Sequence, residues 1–353
     1  MKKVRIGDVA ERAGVSKATV SLVLNNKESG IRISEKTRLK VLQAAKDLNY
    51  SPNYGARLLS TGKSCVVGVL AVNENSLFVS DYDTRVMEGI STVVHESGYH
   101  ILVMDAGIVS HKKVSLGHAL YSGFLDGMII VGPDFVSEEM AQMIREIHRN
   151  GVPFVYAWRK SGDIDASVIC IDNVQAARMG VEYLISLGHR RIGYVSFGDE
   201  SLSGKERLQG YREALAKHDI PFDETLVWED VRMFLPNKIV NEENLFRVLK
   251  QPNPPTALFV PFDPLAIGIL NSLQKRGISV PEDLSILGFG DIMMASFSSP
   301  QLTTIREPLQ EIGRHAAQTL VEQIENGKKE QKTIEKVLLS VELVVRESCR
   351  AVK

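Results

Sequence analysis

"IGDVAERAGVSKATVSLVLN", residues 6–25, carries the spacing from which the N-terminal fold follows. Counting Ile6 as position one, Val9, Ala13, Val15, Val20 and Val23 fall at positions four, eight, ten, fifteen and eighteen. Two helices wedged across a tight turn need apolar contacts at that spacing. Ala10 stands where a larger side chain would push the helices apart, and Gly14 where the turn calls for positive φ. Ser16 is placed to cap the second helix, its hydroxyl within reach of the amide of Ala18 or Thr19. The stretch predicts a helix-turn-helix. A third helix, capped by Ser34 and carrying Leu39, Val41, Leu42, Ala45 and Leu48, is expected to close a three-helix core. Lys36, Arg38, Lys40 and Lys46 lie on its polar face, mostly as solvated charges.

In such a motif the second helix enters the major groove with its N-terminal residues against base edges. Lys17 can donate to guanine O6 and N7, and Ala18 offers a methyl to thymine. Ser16, Thr19, Ser21 and Asn25 supply short polar groups suited to phosphates. Leu22 either meets a thymine methyl or packs inward.

Charge agrees with this reading. The 353-residue chain has a net charge of -1, but residues 1–64 hold 13 Lys plus Arg against 5 Asp plus Glu, so the remainder is acidic. A small basic module on an acidic body suggests a polyanion partner. No run of 18 apolar residues and no signal-peptide core appears, so a cytoplasmic, nucleoid-associated protein without a membrane role is expected. The three cysteines lie far apart and the eight histidines lack metal spacing, so neither a metal nor a cofactor is called for. "SPNYGARLLSTGKS", residues 51–64, joins the module to the body. Pro52 disfavours helix at Ser51, Asn53 can cap, and residues 54–59 make a helix too short to stand alone in water.

From Cys65 onward, "CVVGVLAV", "HILVMDA", "GMIIVG", "PFVYAW", "RRIGYVSF", "ALFVPF" and "LSILGFG" alternate with helical patterns. Apolar runs between amphipathic helices indicate parallel sheet covered on both faces. The fold class is therefore α/β, and the body is long enough for two doubly wound sheets. Ligands of such sheets bind beyond the carboxyl ends of the strands.

"RIGDVAERAGVSKATVSLVLNN", "ISEKTRLKVLQAAKDLNYSPNYGARLLSTGK" and, near the end, "VLLSVELVVRES" resemble the lactose-repressor (LacI/GalR) family of bacterial transcription regulators over nearly the whole chain. The resemblance implies a helix-turn-helix domain over residues 1–52, a hinge helix over 53–63, and a two-lobed sensor of periplasmic-binding-protein type over 64–353. The lobes would be 64–168 with 301–331, and 169–300 with 332–353, crossing near Val168, Gln301 and Gln331. It also implies that the hinge orders on DNA through Asn53, Ala56 and Leu59, with Leu59 wedged into the minor groove. An effector held in the cleft would meet Phe78, Trp158, Arg159, Arg207, Phe262, Asp263, Gly290 and Asp291. Arg207 matches the family arginine that holds polar or anionic groups.

Three residues depart from the family pattern. Leu22 stands where many members carry Arg, Phe262 replaces the Asn of an Asn-Asp pair, and "GFGD" puts Gly290 at the effector-binding Asp. The expected function is a repressor acting as a homodimer on near-palindromic operator DNA, controlled by a sugar, a sugar acid or a phosphorylated metabolite. Two alternatives stand beside it. One is a regulator with no effector or with a protein co-regulator. The other is a sugar-binding protein or enzyme with a basic arm, which has no catalytic motif to support it.

Overall fold

A computed structural model describes residues 4–24, 33–50, 63–71, 81–105, 124–132, 138–158, 164–196, 201–229, 240–327 and 334–352. The chain divides into two compact units, Met1–Ser64 and Cys65–Lys353.

The described residues of the first unit form the helices α1 (Ile6–Ala13), α2 (Lys17–Leu24) and α3 (Glu35–Asp47). Gly14 ends α1 at φ 68, letting its own amide reach the Glu11 carbonyl and the Val15 amide the Ala10 carbonyl. Val9, Ala10, Ala13, Val20 and Val23 are buried against Val41, Ala44 and Ala45 of α3. One expectation is corrected here. Leu39 and Leu42 are 59% and 45% exposed, because the inward stripe of α3 runs through Val41, Ala44, Ala45 and Leu48.

The second unit holds the strands β1 (Val66–Ala71), β2 (His100–Asp105), β3 (Gly127–Val131), β4 (Phe154–Ala157), β5 (Ser167–Ile171), β6 (Ile192–Ser196), β7 (Val227–Glu229), β8 (Ala257–Phe259), β9 (Ser285–Gly290), β10 (Thr303–Arg306), β11 (Lys336–Leu339) and β12 (Glu342–Val344). Its helices are α4 (Asp81–Glu96), α5 (Glu138–Arg149), α6 (Asn173–Ser186), α7 (Leu202–Lys217), α8 (Glu242–Leu249), α9 (Asp263–Lys275) and α10 (Leu309–Asn326). Two six-stranded sheets result, in the orders β11-β5-β4-β3-β1-β2 and β12-β10-β9-β8-β6-β7. Among the described residues, all pairings are parallel except β12 against β10. The central strands are buried along their whole length, as strands covered by helices on both faces must be.

Three strands shift the crossings between the lobes. β5 pairs in the first sheet, so the chain leaves it after Ile171 rather than at Val168. β10 belongs to the second sheet, which puts the return after Arg306, not at Gln301. β11 pairs with β5, so the last crossing falls between Leu339 and Glu342 instead of near Gln331. In each case a strand not recognised from its residues continues the sheet for a few positions past the expected boundary.

In the first lobe α4 and α10 meet backbone to backbone. A Cβ on Gly89 would lie 1.9 Å from the Gln310 carbonyl oxygen, and one on Gly313 2.0 Å from that of Val86. This close pairing fixes the helix whose first turn reaches the second lobe.

Candidate DNA-reading helix and inter-lobe site

The outer face of α2 is set by its cap and its core contacts. The Ser16 hydroxyl accepts the Thr19 amide at 3.1 Å and lies 2.9 Å from the Thr19 hydroxyl. Val20 and Val23 point inward, leaving Ser16, Lys17 and Ala18 exposed and Thr19, Ser21 and Leu22 half-buried. Leu22 stands outside the apolar cluster, whereas Leu24 packs on it. The stem of Lys17 passes over α1, where a Cβ on Gly7 would be 3.2 Å from its Cε.

The inter-lobe site is organised around Tyr82, the second residue of α4. Its ring lies between Trp158, which follows β4, and Phe262, which precedes α9, with centroids 5.5 and 5.7 Å away and interplanar angles of 11° and 14°. The phenol donates to the Phe289 carbonyl across the lobes at 3.1 Å and is bonded by the Asp263 amide. Burial pushes the Tyr82 pKa well above its ordinary value, and the carboxylates of Asp263 and Glu307 add to that. Tyr82 is therefore a neutral donor. Its oxygen also explains Gly290: a Cβ there would lie 2.0 Å from the phenol oxygen, and φ is +130. Trp158 takes φ +83, a strained backbone for an indole-bearing residue, held by a 2.7 Å bond from its amide to the Ile169 carbonyl.

Beneath the rings lies a buried ion pair. Arg207 on α7 is 4% exposed and Glu307, at the second crossing, fully buried, with 3.4 Å between them. The guanidinium also donates to Asn173 Oδ1 at 3.0 Å and to the Pro261 carbonyl at 2.6 Å, and lies 3.6 Å from the centre of the Phe289 ring. Glu307 Oε1 further accepts the Trp158 indole at 3.1 Å. Its other oxygen, Oε2, is buried with no hydrogen-bond partner among the described residues.

The two acids of the expected set are held inside the second lobe. Asp263 accepts from the Thr304 hydroxyl at 2.7 Å and the Ile292 amide at 3.1 Å, and burial pushes its pKa up to about 7. Asp291 takes Arg306 and Arg346, each at 2.6 Å, and its carbonyl accepts Arg85 of the first lobe at 2.9 Å. Both carboxylates, expected as effector contacts, tie strands and loops together in this arrangement. Trp158, Arg207, Phe262 and Gly290 do converge on one point. Asn25, Asn53, Ala56, Leu59, Phe78 and Arg159 lie outside the described residues. His189 is structural, its ring nitrogens 2.8 Å from the Thr256 hydroxyl and 3.1 Å from the Arg350 carbonyl.

Comparison with known proteins agrees with both halves. Residues 5–53 match the family described as bacterial regulatory proteins, lacI family, and residues 181–349 the periplasmic binding protein-like domain. The chain is 33% identical over 334 residues, 94% of each protein, to a probable HTH-type transcriptional regulator, EndR, of Paenibacillus polymyxa. It is 30% identical, over 98% of each, to the HTH-type transcriptional repressor PurR of Vibrio parahaemolyticus.

The chain belongs to the LacI family.

Among solved structures, the lac repressor dimer bound to operator and the anti-inducer ONPF matches with a TM-score of 0.79 at 27% identity, covering 99% of this chain and all of that one. A complex of the transcriptional regulator CelR with cellobiose matches at 0.69 and 29%, covering 98% and all. This LacI-family chain is thus a DNA-binding transcription regulator with a two-lobed body. Its sequence concealed Tyr82, Asn173 and Glu307. Tyr82 in "SDYDTR" opens a helix ten residues after β1 ends, so a search of strand ends passes over it. Glu307 in "TTIREP" follows β10 directly and would have qualified, had "TTIR" been recognised as a strand.

Proposed function

We propose that this LacI-family protein is a repressor that binds near-palindromic operator DNA as a homodimer in the cytoplasm, and that an uncharged, hydroxyl-bearing effector in the inter-lobe cleft controls it. The observation that carries the effector class is Glu307. It neutralises Arg207, so an anionic ligand finds no uncompensated cation there, while its buried Oε2 calls for a donor. A ligand hydroxyl supplies that donor. This narrows the sequence-based range by removing sugar acids and phosphorylated metabolites. Structural relatives carry neutral sugars: cellobiose in CelR, and ribose in a regulator from Enterococcus faecium matched at 25% identity and a TM-score of 0.67, covering 82% of this chain and all of that one.

The coupling asked of the effector is small. A 10- to 100-fold change in operator affinity requires about 1.4 to 2.8 kcal/mol of differential binding to two lobe arrangements. Thermal-shift measurements with neutral sugars, sugar acids and sugar phosphates test the class, since a specific ligand raises the melting temperature by mass action. Neutral sugars should be the compounds that shift it. A shift by anionic compounds alone would show that Arg207 is not neutralised in the working protein.

On the DNA side, Lys17 and Ala18 read base edges, while Ser16, Thr19 and Ser21 contact phosphates. Leu22, outside the module's core, faces the groove. Binding-site selection with the wild type and Leu22→Arg checks this. An introduced arginine should favour guanine at one half-site position, and an unchanged preference would turn Leu22 away from DNA.

A further inference from the structure

Four residues read as effector contacts, Trp158, Phe262, Asp263 and Gly290, all meet in the structure, and what they meet is Tyr82. Two rings sandwich it, an amide bonds its oxygen, and the missing Cβ of Gly290 makes room for that oxygen. The phenol completes the set by donating to the Phe289 carbonyl. A planar ring with one hydroxyl thus has every contact a bound ligand would have, supplied by side chains and backbone of both lobes.

We propose that Tyr82 is a ligand surrogate built into the chain, which holds the lobes closed without effector and which an effector must displace. The proposal rests on the reading of the cleft as an effector site. The first turn of α4 acts as the latch. Beside Tyr82, Asp81 accepts the Met293 amide at 3.3 Å and Arg85 donates to the Asp291 carbonyl at 2.9 Å, so three residues of one turn grip the second lobe. The slot that Tyr82 leaves is shaped for a hydroxylated ring: flat aromatic faces on two sides, a carbonyl acceptor at one end, and Arg207 with Glu307 beneath. An effector that stacks and donates there gains the same contacts and adds a partner for Glu307 Oε2.

The test uses the full-length chain with Tyr82→Ala and phenol as the probe. The variant should expand in small-angle scattering and melt below the wild type. Millimolar phenol should restore its dimensions and raise its melting temperature, while leaving the wild type unmoved. Benzene should bind the variant roughly ten- to a hundredfold more weakly than phenol, for want of the two hydrogen bonds made by the hydroxyl. Wild-type dimensions in Tyr82→Ala, or no response to phenol beyond that of the wild type, would overturn the proposal. Tyr82→Phe covers the case in which the alanine variant does not fold. It keeps the stack and loses the hydroxyl, and should stay closed but melt lower. A Phe variant as stable as the wild type would show that the bridge to Phe289 and Asp263 contributes nothing, and the surrogate falls. Phenol rescue in Tyr82→Ala with no sugar shifting the wild type would sink the effector reading alone. Sugar shifts without phenol rescue would sink the surrogate alone.

Discussion

At the start of α2, Ser16, Lys17 and Ala18 are exposed, and the cap bond from the Thr19 amide to Ser16 stays within the helix's own first turn. Around Tyr82 the reverse holds: Tyr82, Arg207, Asp263, Asp291 and Glu307 are all buried and each is tied to another element of the body. A surface that meets its ligand from outside keeps its groups available. A site that reports a ligand by moving two lobes has its groups engaged with one another, so that a ligand must exchange contacts rather than add them. Substitutions in the two regions should differ accordingly in size and reach.

The largest effect is expected from Arg207→Ala. It leaves the Glu307 carboxylate buried without its cation, and loss of one partner of a buried pair costs about 3 to 5 kcal/mol. Urea denaturation of the body should show it, and Arg207→Met with Glu307→Gln together should recover most of the loss. A cost below about 1 kcal/mol would mean that water reaches the pair and that the cleft is as open as the DNA-reading face.

Gly290→Ala comes next. The added Cβ meets the Tyr82 oxygen at 2.0 Å and the backbone is in a region that side chains avoid. A loss of about 2 to 3 kcal/mol is expected. Combined with Tyr82→Ala the losses should fall short of additive, because only the backbone strain survives once the phenol is gone. Strict additivity would separate Gly290 from Tyr82.

How much of this was legible follows the same division. The helix-turn-helix is a local object, and the spacing of Val9, Ala13, Val20 and Val23 with Gly14 is enough to specify it. The strong central strands were equally plain. "TTIR" and the alternately exposed "KVLL" were not, because they lack a long continuous apolar run, and "SVICI" carries a run of only four opened by a serine. Those strands carry the crossings, so the lobe boundaries were misplaced by a few residues, and Glu307 went with them. Tyr82 was hidden for a different reason. Its role depends on Trp158, Phe262 and Gly290 from three other segments, and the two losses visible in sequence, at Phe262 and Gly290, look like missing contacts until the ring that replaces them is in view.

Asp263 offers a smaller and pH-dependent contrast. Its carboxyl ionises near 3.8 in the unfolded chain and at about 7 in the folded one, chiefly because it is buried. Between those values the folded chain keeps a proton that the unfolded chain has shed, so stability falls as pH rises from about 4 to 7 and levels off above. Asp263→Asn, which can still accept from Ile292 and bond Thr304, should flatten that decline, removing roughly 1 to 2 kcal/mol of pH dependence between pH 5 and 7. Chemical denaturation across that range checks it. An unaltered slope would place the titration on another group.

The smallest effect tests the other side of the comparison. Ser16 caps α2 through one bond to the Thr19 amide, and losing such a cap costs about 1 kcal/mol. Because the cap lies in the module of Met1–Ser64, Ser16→Ala should lower the stability of that module and weaken DNA binding, with the effector response of the body unchanged. The expected loss is a uniform one across DNA sequences, since a cap and a phosphate contact carry no base information, whereas a change at Lys17 should relax one base position. Titrating selected and randomised duplexes side by side separates the two. If Ser16→Ala alters preference as well as affinity, the cap sets how Lys17 and Ala18 are presented to the bases. The DNA-reading face would then share with the cleft the property that no contact acts alone.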